Sequence, residues 1–264
     1  SPKVMGILNL TPDSFYDGGA YKDEVAILKQ VERMLNEGAT FIDLGAYSSR
    51  PGADHISVEE EKARMIPVVT LVTKEFPKAL FSIDTFRSRV AEACLERGAA
   101  LINDISGGNL DHQMMDLVAR FQVPYIMMHM KGTPQNMKAH TVYGDLLEEV
   151  LFYFSERLVQ ARAKKINDIL VDPGFGFSKT TKQNFKLLGQ MELLNALEVP
   201  LLAGLSRKSM IYKTLGTAPQ YALNGTTALH MIALDKGANI LRVHDVAEAV
   251  ECIRLHQALE EEKE

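Results

Sequence analysis

Polar and charged side chains stand at the ends of short apolar runs along the whole chain: Asn9, Asp43, Asp84, Asn103 with Asp104, His129, Asp172, Ser206 with Lys208 nearby, and Arg242 with His244. Two carboxylates have the strongest claim to chemistry. Asp84 lies in Phe81-Ser-Ile-Asp-Thr85 and Asp172 in Ile169-Leu-Val-Asp-Pro173. A carboxylate ending a buried strand needs partners, and a ligand carrying N–H donors supplies them. Asp43 and Asp104 are read equally well as helix caps or turn formers and as catalytic groups. His129, inside Tyr125-Ile-Met-Met-His-Met130, is read as a satisfied core histidine rather than a catalytic one. Arg242 and His244 share one strand face by the two-residue period, a spacing that suits an anion such as a diphosphate; the alternative is a surface ion pair. Lys208 forms a Schiff base, binds an anion or is merely solvated. Ser206-Arg-Lys-Ser209 lacks the Gly-rich spacing of a phosphate loop. There is no HExxH, no His-x-His and no cysteine pair, so any metal is expected to be Mg²⁺ rather than zinc.

The elements that position these residues follow from hydrophobic periodicity. Strands are predicted at Val4–Leu10, Thr40–Tyr47, Leu80–Thr85, Leu101–Ser106, Pro124–Met130, Asp168–Phe175, Pro200–Ser206 and Ile240–Asp245. They are too apolar for surface strands and suit a parallel sheet covered on both faces. Helices are predicted over Asp23–Gly38, Val58–Phe76, Phe86–Gly98, Asp111–Arg120, Lys179–Leu197, Ala218–Gly237 and Val246–Leu259, with a further apolar stripe from Leu147 to Leu158. Glu37-Gly-Ala, Arg97-Gly-Ala and Lys236-Gly-Ala each close a helix and enter a strand, where glycine suits the left-handed C-cap. The recurrence argues for repeated βα modules. Eight such strands predict a single α/β domain over residues 1–264, a closed (β/α)8 barrel. A doubly wound sheet would show a Gly-rich dinucleotide turn after its first strand, and Asn9-Leu-Thr-Pro-Asp-Ser-Phe15 stands there instead. A barrel gathers the C-terminal ends of all its strands on one rim, where active sites sit.

Composition narrows the classes. Length, at 264 residues, fits one barrel of about 250 residues. A net charge of −5 gives no support to nucleic-acid or anionic-membrane binding. No apolar run approaches a membrane span, and no signal peptide is expected before the first strand. Cys94 and Cys252 lack paired spacing and are read as reduced packing residues, consistent with a cytoplasmic protein.

Taken in order, the motifs resemble one family. Met5-Gly-Ile-Leu-Asn-Leu-Thr-Pro-Asp-Ser-Phe15 with Asp17-Gly-Gly19 resembles the first signature of the dihydropteroate synthases, and Ser48-Ser-Arg-Pro-Gly52 is similar to the second. Ser82-Ile-Asp-Thr85, Ile102-Asn-Asp-Ile105, Met128-His-Met130, Val171-Asp-Pro-Gly-Phe-Gly-Phe177, Ser206-Arg-Lys-Ser209 and Arg242-Val-His-Asp-Val246 follow in family order. Each tetrapeptide alone is weak; the ordered set is specific and spans nearly the whole chain. The resemblance implies a transferase of folate biosynthesis that joins a pterin diphosphate to 4-aminobenzoate and is a sulfonamide target. It implies a pterin slot of Asp84, Asn103, Met128, Asp172, Gly204 and Lys208. It puts Mg²⁺ on Asn9, with Ser49, Arg50, Arg242 and His244 around the diphosphate. Phe177, Lys208 and Ser209 flank aminobenzoate, and Phe15, Asp17 and Pro51 belong to closing loops. The groups implied to act in the chemistry are Asp84, Lys208, Arg242 and His244, and the family suggests a homodimer. Two departures stand out. Ser49 replaces the usual threonine, and Gly45-Ala-Tyr47 stands where Gly-Gly-Glu is common. The family's usual N-terminal segment is largely missing. Rival readings are a pterin-binding methyltransferase, which needs neither Arg242, His244 and Lys208 in these roles nor the Thr-Pro-Asp-Ser-Phe loop, and a non-catalytic pterin-binding paralogue.

Overall fold

Apolar runs alternating with amphipathic stretches have to bury both faces of the sheet, and the chain does so by closing it. The computed structural model describes residues 1–10, 20–49 and 55–262. Eight strands follow one another around a closed barrel: β1 Lys3–Asn9, β2 Phe41–Gly45, β3 Leu80–Asp84, β4 Leu101–Asp104, β5 Tyr125–Met128, β6 Ile169–Asp172, β7 Leu201–Ala203 and β8 Ala238–Val243. Each pairs in parallel with its successor, and β1 pairs with β8.

The helices between them are α1 Ala20–Asn36, α2 Val58–Glu75, α3 Ser88–Leu95, α4 Met114–Phe121, α5 Leu146–Ala163, α6 Thr181–Gly189, α7 Ser209–Thr214, α8 Leu223–Asp235 and α9 Val246–Glu261. Local chemistry sets several starts. Thr180 and Gln183 form a reciprocal capping box at α6, and Asp145 accepts the first free N–H groups of α5. Gly38, Gly98 and Gly237 take positive φ, as the repeated helix-to-strand junction predicts.

The strands are shorter at their C-terminal ends than the apolar runs. The run read as Asp168–Phe175 pairs only to Asp172, because Gly174 and Gly176 turn the backbone left-handed. The helix read over Lys179–Leu197 is α6 followed by a 3₁₀ segment, Met191–Leu197. That read over Ala218–Gly237 is a 3₁₀ turn, Pro219–Tyr221, and then α8. The short α7 was not expected, since six residues are too few to show a helical period.

Strand parity sorts the side chains into two layers. Leu8, Ile42, Leu44, Phe81, Ile83, Ile102, Met127, Val171 and Leu241 join the large core between sheet and helices. Each such buried apolar side chain contributes about 1.5–3 kcal/mol. Met5, Leu101, Ile126, Leu202 and Ile240, with Phe41 and Leu170, form a separate plug inside the barrel. Two or four residues further along the same faces come Asn9, Asp43, Asn103, Met128, Asp172, Gly204, Arg242 and His244. The expected binding groups therefore share the parity of the plug and form the layer above it.

Candidate active site

At the centre of that layer is an ion cluster. Arg242 on β8 donates from Nε to Asp43 Oδ2 on β2 at 2.6 Å and from Nη2 to Asp84 Oδ2 on β3 at 2.7 Å. Asn103 on β4 donates Nδ2 to Asp43 Oδ2 at 2.9 Å. Asp43 is fully buried, and its Oδ1 has no partner among the described residues. Burial pushes the Asp84 carboxyl up to about 7, against the pull of Arg242, and the nearby Asp43 charge adds to the rise. Burial works against the Arg242 charge, yet Asp43 and Asp84 outweigh it and hold the guanidinium above its ordinary range. In place of a surface ion pair, Arg242 makes a half-buried one, with only Asp43 fully buried. Asp43, read from sequence equally well as a turn former, is the hub that fixes Arg242 and Asn103.

On the far side of the mouth, Asp172 ends β6 with Oδ1 accepting from Gly174 N at 2.7 Å. Lys208 reaches across from the loop after β7 and donates Nζ to the Phe175 carbonyl. Its Nζ also lies 4.8 Å from the centre of the Phe177 ring. Gly204 leaves a gap between them: a Cβ there would lie 3.6 Å from Asp172 Oδ2 and 3.7 Å from Lys208 Nζ. Burial raises the Asp172 carboxyl, with the Lys208 charge opposing. Burial lowers the Lys208 ammonium to about 8, with Asp172 opposing. Ile105, Met128, Met130 and Met137, with Phe86, Leu110 and Phe177 packed against them, supply an apolar wall. A buried carboxylate, an amide and a cation beside such a wall match a flat heterocycle that offers N–H donors on one edge and a carbonyl on another.

His244 follows β8 beside Ser206. Ser206 Oγ accepts from the His244 backbone N–H at 3.1 Å and lies 2.9 Å from His244 Nδ1. Ser206 Oγ and His244 Nδ1 share one hydrogen bond whose donor follows the ring tautomer. Between Ser206 and Lys208, Arg207 takes φ 53° and grips Asp245 with Nε and Nη2, both at 2.8 Å. It also donates to the carbonyls of Pro219 and Gln220. Arg207 thus clasps the β7 and β8 loops together from behind. The sequence drew attention to Ser206 and Lys208 but gave Arg207 no part.

Asn9 ends β1 half-buried beside Gly45 of β2, and Ser49 is half-buried further along. Ser209 is the first residue of α7. Phe15, Asp17, Arg50 and Pro51 lie outside the described residues. His129 is buried and off the parity of the mouth, as the core reading holds, with Lys179 Nζ at 2.9 Å from its Nδ1. Asp104 is also buried and off that parity. It accepts from Ser106 N, Gly108 N and Tyr125 OH, the turn-forming role. Tyr47 packs its ring edge-on against Phe86 with Arg87 over its face at 5.0 Å. Arg87 in turn pairs at 2.7 Å with Glu61, which is fully buried and also accepts from Thr85 Oγ1.

Comparisons with known proteins agree with this fold. The family described as pterin binding enzyme matches residues 5–244. The chain is 41% identical to a dihydropteroate synthase of Escherichia coli strain K12, covering 100% of this chain and 93% of that protein. A crystal structure of a Yersinia pestis dihydropteroate synthase with a sulfonamide drug complex superposes with a TM-score of 0.92 at 40% identity, covering 98% of this chain and 94% of that one. A Xanthomonas albilineans dihydropteroate synthase with 4-aminobenzoic acid gives 0.90 at 40% identity, covering 98% and 93%.

Proposed function

Because the chain belongs to the pterin-binding enzymes and is similar along its whole length to dihydropteroate synthases, we propose that it is a dihydropteroate synthase of folate biosynthesis. The reaction joins 6-hydroxymethyl-7,8-dihydropterin diphosphate to 4-aminobenzoate, giving 7,8-dihydropteroate and diphosphate. The observation that carries the reading is the interior layer itself, where Asp172, Asn103 and Lys208 converge with Met128 above the barrel plug. Asp172 accepts from the pterin ring N–H and amino group, Lys208 donates to the carbonyl edge, and Gly204 leaves the slot open.

Arg242 and His244 receive the diphosphate. Asp43 and Asp84 occupy Nε and Nη2 of Arg242, so Nη1 is the nitrogen left for a phosphate oxygen among the described residues. The methylene–oxygen bond breaks with its electron pair leaving on the diphosphate. The pterin ring delocalises the resulting positive charge, the aminobenzoate nitrogen attacks, and its surplus proton is lost. Preorganised charge around the methylene favours the transition state. Asp84 belongs to that charge together with its Arg242 partner. Phe177, Lys208 and Ser209 flank aminobenzoate, with Ser49 and Arg50 near the diphosphate and Phe15, Asp17 and Pro51 in the loops that cover it.

Mg²⁺ is part of the same proposal. The donor set fits it: Asn9 offers a neutral amide oxygen, while both nearby carboxylates are engaged by Arg242. One hard oxygen suits an ion that keeps its water and arrives with phosphate. When bound, the ion neutralises diphosphate charge and eases its departure. The cytosol suits its buried reduced thiols, Cys94 and Cys252. A homodimer through α8 and α9 is supported by the exposed apolar side chains Ile232, Leu255 and Leu259 on these two neighbouring helices. The decisive assay incubates the protein with pterin diphosphate, 4-aminobenzoate and Mg²⁺ and scores dihydropteroate. No dihydropteroate formed by the folded protein with both substrates and Mg²⁺ present would refute the function.

A further inference from the structure

Lys179 is a buried amine with no carboxylate within ion-pair distance among the described residues, and burial lowers it to about 7, with the Asp172 charge opposing. It closes the loop Pro173-Gly-Phe-Gly-Phe-Ser-Lys179 after β6. That loop reverses three times, with positive φ at Gly174, Gly176 and Ser178. At Gly174 it presses on β5, since a Cβ there would lie 2.1 Å from the His129 carbonyl oxygen. The reversals turn the Gly174 and Phe177 carbonyls toward one point, and Lys179 Nζ occupies it at 3.1 Å from each. The third close acceptor is His129 Nδ1 at 2.9 Å. Protonated, Lys179 has three N–H donors for these three acceptors, and the His129 carbonyl lies further off at 3.4 Å. His129 suits the part: burial, with the Lys179 and Lys131 charges, pushes its pKa down to about 2, so the ring stays a neutral acceptor.

The outer side of the loop is held as well. Lys131 N donates to Ser178 Oγ at 2.9 Å, and Tyr143 OH donates to the Ser178 carbonyl at 3.0 Å. The mouth side carries the Phe175 carbonyl that takes Lys208 Nζ, and the Phe177 ring below that ammonium. A shift of the loop therefore moves Phe177 and Lys208 together.

We propose that Lys179 is a positioning residue for the arylamine substrate: its buried amino group ties the Phe177 loop to the end of β5 and so sets the wall against which the aromatic acid lies. The inference rests on the proposed function. It assigns Lys179 no contact with substrate. Replacing it by an apolar chain strands two carbonyls and an imidazole nitrogen, and the loop relaxes toward water to satisfy them.

The test compares wild type with Lys179→Met in steady-state kinetics, varying each substrate, alongside thermal melts. Lys179→Met should raise the KM for 4-aminobenzoate roughly tenfold or more and the KM for pterin diphosphate by clearly less, since Phe177 faces only the aromatic acid while Lys208 moves with the loop. A purely structural lysine predicts a lower Tm and equal loss for both substrates, and that result would overturn the assignment. Tyr143→Phe loosens the same loop without stranding buried acceptors of Lys179. It should raise the aminobenzoate KM about threefold, which covers a Lys179→Met protein that does not fold. An unchanged KM in Tyr143→Phe, with Lys179→Met unchanged or unfolded, rejects the proposal. A wild type that turns over both substrates while the variants behave normally rejects only the role of Lys179. A wild type that consumes no aminobenzoate rejects the proposed function, and this inference falls with it.

Discussion

Gly204 and Lys208 carry the sharpest consequences at the scale of single residues. A methyl group at 204 makes only ordinary contacts with Asp172 and Lys208. Gly204→Ala should therefore fold with an unchanged Tm yet raise the pterin KM roughly 10- to 200-fold, the range for one carbon in a fitted pocket. Unaltered pterin affinity in calorimetry would show that the slot lies elsewhere. The titrations of Lys208 and Asp84 bracket a narrow window. Lys208, lowered by burial to about 8, carries its charge below that pH and loses it above. Asp84, raised by burial to about 7 against Arg242, becomes a carboxylate only as the pH climbs through that value. The kcat/KM for pterin diphosphate should climb through about pH 7 and decline above about pH 8, reporting the free protein. Lys208→Arg keeps its charge and should remove the alkaline decline, whatever its effect on absolute rate. An alkaline limb identical in that variant would assign it to another group.

At the scale of elements, the buried Glu61–Arg87 pair joins α2 to the turn between β3 and α3. Glu61→Ala leaves the Arg87 cation without its carboxylate and should cost about 3–5 kcal/mol, read as a lower midpoint in urea. A loss under about 1 kcal/mol would mean that water reaches Arg87 and the pair is effectively a surface one. Elements were the most legible part of the sequence. Apolar runs give the strands because each is covered on both faces, and Gly38, Gly98 and Gly237 mark where helices stop. Strand ends were overread because Phe175 and Leu205 are as buried as the strands they follow. The parity that collects Asn103, Asp172 and Arg242 was visible once the strands were placed. What pairs with what was not: Asp43 and Arg242 are 199 positions apart, and nothing local says that one binds the other. Lys179 was read only as the start of a helix, because its burial depends on left-handed turns that no periodicity reports.

At the scale of the whole molecule, two expectations concern association and the metal. Leu255→Asp with Leu259→Asp places charge on the exposed apolar face of α9 and should convert a dimer to monomers in sedimentation. A mass unchanged by both would move the dimer contact to another face. Removing Mg²⁺ with a chelator should weaken binding of the pterin diphosphate far more than binding of a pterin without phosphates, and Asn9→Ala should mimic it. Equal loss for both ligands would detach the metal from the diphosphate.

The strand parity acts like a reading frame. Deleting one residue from the middle of β6 would turn Asp172 outward among the helices and deliver Val171 or its neighbour to the mouth, with a full inversion of polarity from a single lost codon. The same deletion in an exposed turn that precedes a strand, such as that of Pro77 and Lys78, alters only a connection. Length variation in descendants of this gene should therefore collect at the rim opposite the mouth, leaving the stretch between plug and polar layer free of gaps. A deletion scan read out by growth without supplied folate would display that frame directly, as silence in the turns and loss in every strand.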